Sequence, residues 1–211
     1  LFGKLLFIVL AGGLYMALGS EGKLKDFDQF WNFDKPAETE TKFLNLLTEA
    51  KNSGDKDYYL QLKTQIARTQ GLQREFDKAQ QTLDKVEKEI TDDTPVAETR
   101  YLLERGRVFN SYKQAEKALP IFIKAFEIAV KRKQDNLAVD AAHMVAIADK
   151  DSQKQVEWNL KAMKLAESSS DTKAKKWLGS LYNNMGWTYH DSGKLDSALD
   201  MFEKALAFQE K

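Results

Sequence analysis

"SLYNNMGWTYHDSGKLDSALDMFEKALAFQEK", residues Ser180–Lys211, mixes strong helix formers with large aromatics, two adjacent asparagines, a histidine and two glycines. Its spacing decides the fold. Twelve residues after Gly186 stands Ala198, seven further is Ala205, Phe202 lies between them, and Tyr189 follows the glycine by three. The same intervals start at Gly106, with Ala118, Ala125, Phe122 and Phe109 in the matching places. Ala67, Ala79, Leu83 and Val86 keep the rhythm, and His143, Gln155 and Ala162 keep it with less typical residues. The landmarks 67, 106, 143 and 186 lie 39, 37 and 43 residues apart, a period that signals a helical solenoid. A small residue on one helix lets a second approach closely, and alanines with one large apolar residue on that second helix fill the groove.

The bulk properties agree with a helical reading. Eleven glycines and three prolines in 211 residues leave long stretches rich in Ala, Leu, Glu, Lys and Gln without interruption. Lys+Arg and Asp+Glu are both 32, so no global field points to nucleic acid. With no cysteine there is no disulfide, thiol nucleophile or thiolate metal site.

The first residues are a different material. Leu5 to Leu18, "LLFIVLAGGLYMAL", carries no charge, and with the preceding four residues it would reach about 27 Å as a helix, enough for a bilayer core if Lys4 extends to the interface. We read residues 1–20 as a single-pass membrane anchor. The alternative is a cleaved secretory signal, since Ala17-Leu18-Gly19 resembles a small-residue cleavage site. "KDFDQFWNF" follows, placing Phe27, Phe30, Trp31 and Phe33 where an interfacial aromatic belt would sit, so residues 21–36 are expected to form a juxtamembrane linker against lipid. Residues 37–56 are expected to form a capping helix ending at Ser53-Gly54, and 57–211 the repeats. Pro120, within a second helix, is expected in its first turn or at a kink.

On these residues the segment resembles a tetratricopeptide repeat, with Tyr182, Met185, Gly186, Tyr189, Ala198, Phe202 and Ala205 in the family's W-x2-L-G-x2-Y…A…F…A pattern. The match is good in the last repeat and fair in the one beginning near Thr99. It is carried mainly by "REFDKAQQTL" in the repeat from Asp57, and it is weakest in the repeat from Gln134. The resemblance implies an all-α, right-handed solenoid of about four helix pairs, whose first helices line a concave surface that binds protein partners. The lysine-and-asparagine clamp of chaperone-binding members is not reproduced, because Thr64 and Arg68 occupy the first expected pair.

The groove face then collects Arg68, Arg107, Asn110, Asp140, Asn183, Trp187 and His190 as partner-binding candidates, with Thr64, Leu103 and Met144 on the same face and Gln65, Arg100, Glu104 and Asn184 in neighbouring slots. Two arginines can grip carboxylates or phosphate, and asparagines can bond a peptide backbone. The competing structural reading is that Arg100, Glu104, Arg107 and Asp140 satisfy one another between repeats. His143 and His190 lie in adjacent repeats with no nucleophile motif, phosphate loop or metal-spaced cluster, so no catalytic residue, metal or cofactor is expected. "KRK", residues 131–133, and "KAKK", residues 173–176, read as helix-end charges rather than nucleic-acid contacts. "MFEKALAF", residues 201–208, has no evident polar capping helix after it and is expected to be covered by a further repeat or a neighbouring subunit. The expected function is a membrane-tethered protein-binding scaffold. The alternatives are an extracytoplasmic peptide adaptor and a small-ligand sensor around Arg107, Asn183, Trp187 and His190.

Overall fold

The computed structural model describes residues 24–210. The expected anchor, residues 1–20, lies outside them, and among the described residues no helix is long and apolar enough to cross a membrane. A short 3-10 turn, Phe27–Phe30, leads to α1, Pro36–Asn52. Four antiparallel pairs follow: α2 Lys56–Leu72 with α3 Phe76–Glu87, α4 Pro95–Ser111 with α5 Ala115–Lys131, α6 Asp135–Ala148 with α7 Ser152–Ser168, and α9 Leu178–Asp191 with α10 Leu195–Gln209. A four-residue α8, Thr172–Lys175, separates the last two pairs. Successive helices pack on one another from α1 to α8, α9 packs on α7 and α10, and α2, α4 and α6 also pack in series. That is a helical-repeat solenoid, as the period implies.

Local chemistry sets the ends of the helices. Asp55 Oδ1 accepts from Tyr58 N at 2.8 Å, and Asp151 accepts from the backbone N–H groups of Gln153 and Lys154, satisfying donors that a helix start leaves free. Proline opens α1 and α4, where its missing N–H costs nothing. At the other end the chain reverses through a left-handed residue. Arg74, Lys113 and Lys133 have φ of 65°, 61° and 55°, and Gly193 fills the same place in the last pair with φ of 76°. In each case the next residue's N–H bonds a carbonyl five positions back, as from Gln114 to Phe109 at 2.9 Å, which occupies an otherwise orphaned acceptor.

The landmark positions mark the closest helix approach. A methyl group on Gly106 would stand 2.4 Å from the Phe122 ring, and one on Gly186 would stand 2.5 Å from Phe202. Phe122, Ala118 and Ala125 are fully buried in one core with Ala67, Ala79 and Leu83 from the preceding pair. A second core joins α6, α7 and α9 through Val139, Ala162, Leu181 and Met185. Pairs also interlock at their edges: Asp57 Oδ1 accepts from Ala97 N at 2.8 Å, and Trp177 Nε1 donates to Asn136 at 2.9 Å. Pro120 lies past the first turn of α5, and the helix runs unbroken through it, forgoing one backbone bond.

The stretch from Leu24 to Lys35 departs from the expected lipid-facing linker. Phe27 is 4% exposed and packs edge-on against Phe43 and Tyr58. Trp31 stacks on Phe33 at 4.7 Å and meets Phe43 edge-on. A ring inside a protein core cannot sit at a bilayer surface, so Phe27 is corrected from an interfacial to a packing residue, while Trp31 is partly buried against the same core. Phe30 is half-buried on the same core, and Phe33 keeps an open face. The segment packs beside α1, which begins at Pro36 and ends at Asn52.

Gly106→Ala should lower unfolding stability by about 2 kcal/mol through overpacking, and adding Phe122→Leu should recover part of it. Lys113→Gly removes a left-handed side chain and should raise stability by about 1 kcal/mol. Urea unfolding followed by circular dichroism checks both.

Candidate functional site

The groove candidates fall into two groups. Along α2, α4 and α6, one helical turn separates Glu104 from Arg107, and helix stacking brings Arg68 and Asp140 to the same level. Arg107 donates through Nη1 to Glu104 at 2.7 Å and through Nη2 to Asp140. Arg68 donates to the same Glu104 oxygen at 3.4 Å, as does Gln65 Nε2. Glu104 is 2% exposed, and its other oxygen, Oε2, has no hydrogen-bond partner among the described residues. The guanidinium of Arg68 also rests near the rings of Trp31 and Phe33, at 5.5 and 5.3 Å.

The electrostatics follow from this geometry. Burial penalises the charge on Arg107, yet Asp140 and Glu104 more than offset it and hold its pKa above the usual arginine value. Arg68 goes the other way: burial, then repulsion from Arg107, lowers its pKa, with Glu104 opposing. The competing structural reading is therefore correct for Arg107 and Asp140. They are engaged with each other and with Glu104 rather than waiting for a partner's carboxylate. Arg100 is likewise taken, donating to Asp28 at 2.8 Å, while Asp26 and Asp28 both accept from Lys173.

A cavity of about 180 Å³ opens beside this network, lined by Arg68, Glu104, Arg107 and Asn110, with Leu72, Val108, Ser111 and Met144 completing the wall. Three sequence-predicted residues thus share one cavity: Arg68, Arg107 and Asn110.

The second group is on α9. Asn183, Trp187 and His190 are exposed on one face, as their spacing implies, and Trp187 is 53% accessible. Its ring meets His190 at 5.5 Å and Phe202 at 5.3 Å, both edge-on. Trp187 also lines a recess of about 310 Å³ with His143, Gln155, Asn159 and Asn184. Asn183 and His190 are not among that recess's lining residues, and the Arg68–Arg107 cavity shares none with it. No group of three or more His, Cys, Asp or Glu able to hold a metal occurs among the described residues.

The repeat pattern gave no sign that Trp31 and Phe33 would back Arg68, or that Asp28 would engage Arg100, because those residues precede the repeats. The only signal was their aromatic and acidic density, which a lipid interface explained equally well. Leu72 and Ser111 also escaped notice, since they lie near helix ends where the groove register is lost.

His143 is 8% exposed, with Nδ1 unpartnered and Nε2 3.4 Å from Asn184 Nδ2. Burial pushes its pKa below the ordinary 6.5, against the pull of Asp140. A base with a depressed native pKa binds fewer protons folded than unfolded. Stability should therefore be fully present above pH 6.5 and fall as the pH drops below it. Unfolding free energies measured between pH 7.5 and 5.5 should decline, and His143→Gln should flatten that slope.

Comparison with known proteins agrees with this architecture. Residues 178–211 match the family described as Tetratricopeptide repeat. The fold is similar to the crystal structure of BtubC (BKLC) from P. vanneervenii, with TM-score 0.62 and 14% identity over 88% of this chain and 74% of that one. It is also similar to the nearly identical TPR-like repeats of a Podosopora anserina protein described as a kinesin light chain, with TM-score 0.55 and 14% identity over 87% and 91% of the two chains. No curated protein matches the chain significantly in sequence. At such identities the likeness is one of fold: the protein is an all-helical, TPR-like repeat solenoid, an architecture suited to protein–protein interaction.

Proposed function

We propose that this protein is a membrane-tethered scaffold that binds a protein partner along its repeat surface and thereby organises or stabilises a membrane complex. The observation that supports it best is Trp187, which is 53% exposed on the groove side of α9 and lines a recess with His143, Asn159 and Asn184 from α6, α7 and its own helix. An accessible aromatic beside polar side chains in a recess is the composition of a protein-binding anchor point. The role is non-enzymatic, as is general for scaffolds of this architecture.

The tether is assigned to residues 1–20, in which the uncharged run Leu5–Leu18 together with the four preceding residues would reach about 27 Å as a helix. Phe33, exposed at the start of the described region, would then face the membrane side.

Two measurements check this reading. Alkaline extraction of native membranes should leave the protein in the pellet, and a version lacking residues 1–20 should move to the supernatant. Mild-detergent affinity purification should return a stoichiometric protein partner, and Trp187→Ala should weaken its retention about tenfold or more, as for an interface anchor. A native protein found free and monomeric would contradict it.

A further inference from the structure

The cavity between α2, α4 and α6 has a hydrogen-bonding pattern that the scaffold reading does not use. Arg68, Arg107, Glu104 and Asp140 sum to zero formal charge, and Arg107 already directs one Nη to each carboxylate. Two groups remain incompletely used. Arg68 makes a single long bond of 3.4 Å, and its side chain is 24% exposed. Glu104 Oε1 takes three donors while Oε2 takes none. Both side chains line the cavity, so a small turn of the covered, unpartnered Glu104 carboxylate sets an acceptor beside the Arg68 donor. Leu72, Val108 and Met144 supply apolar surface, and Asn110 and Ser111 a polar edge.

We propose that this cavity is a carboxamide pocket, taking an asparagine or glutamine side chain of an extended partner peptide; the proposal rests on the protein-binding reading above. A primary amide carries one carbonyl acceptor and an NH₂ donor on the same carbon. Its oxygen accepts from Arg68, its NH₂ donates to Glu104 Oε2, and its methylene stem lies along Leu72, Val108 and Met144. A carboxylate has no donor for Glu104 and adds a negative charge to a balanced cluster. An ammonium has no acceptor for Arg68. A site built on paired polar groups discriminates because the wrong ligand leaves one of them buried without a partner.

The test uses the full chain and two probes, the capped tripeptides N-acetyl-Ala-Gln-Ala-amide and N-acetyl-Ala-Glu-Ala-amide. Backbone amide shifts of Asn110 and Ser111 are followed by nuclear magnetic resonance at pH 7. The Gln peptide should bind at least about tenfold more tightly than the Glu peptide. Glu104→Gln leaves the cluster with one excess positive charge and should reverse the order. Arg68→Met, at a partly exposed position that preserves the fold if Glu104→Gln does not, removes the donor to the amide oxygen and should weaken the Gln peptide about tenfold or more, without letting the Glu peptide bind. Equal affinities, a wild-type preference for the Glu peptide, or unmoved Asn110 and Ser111 signals would overturn the pocket. A purified partner that binds a chain showing no such selectivity would overturn the pocket alone. The absence of any partner in the detergent purification would instead count against the scaffold, whichever peptide binds.

Discussion

Arg107 holds the middle of this solenoid together. Its guanidinium reaches Glu104 on its own helix and Asp140 on the next first helix, and Glu104 in turn receives Arg68 and Gln65 from the preceding one. Three consecutive first helices are thus joined through Arg107 and two buried carboxylates, Glu104 and Asp140. An isolated charge at this depth would cost several kcal/mol, so the network stands only because its signs balance and its geometry is good. The close approach that makes such contacts possible comes from within each pair, where Gly106 and Gly186 admit the rings of Phe122 and Phe202.

That balance governs what the groove can do. Arginines on a concave surface suggest anion capture until their partners are counted. Here Arg107 is engaged at both Nη groups and Arg100 is occupied by Asp28, which leaves Arg68 as the arginine in the cavity with spare donors. On the proposed reading, recognition rests on neutral polar pairing in the centre and on the exposed Trp187 of α9. The two regions are separate, so a partner that used both would have to run along the solenoid.

The repeat architecture was legible because glycine, alanine and aromatic spacing is a direct record of helix contact. Gly106 with Phe122 and Gly186 with Phe202 occupy the positions that their intervals required. The exposed row Asn183, Trp187 and His190 was legible for the same reason, since helical periodicity alone places three residues on one face. The pairing of Arg107 with Asp140 was one of two chemically sound options, and periodicity cannot say whether facing charges meet each other or a ligand. The stretch from Asp26 to Phe33 was misread because aromatic density describes a lipid interface and a packed strap equally well. What distinguishes them is the hydrophobic partner, Phe43, which lies in another element.

A double-mutant cycle across Arg107 and Asp140, read by urea unfolding of Arg107→Met, Asp140→Asn and the double variant, tests the central network most directly. Each single change should cost about 3 kcal/mol by leaving a buried charge uncompensated, and the double variant should cost less than their sum by about 2 kcal/mol. Additive costs, or singles within about 0.5 kcal/mol of the parent chain, would contradict a structural role for the pair and return Arg107 to the set of groups available to a ligand.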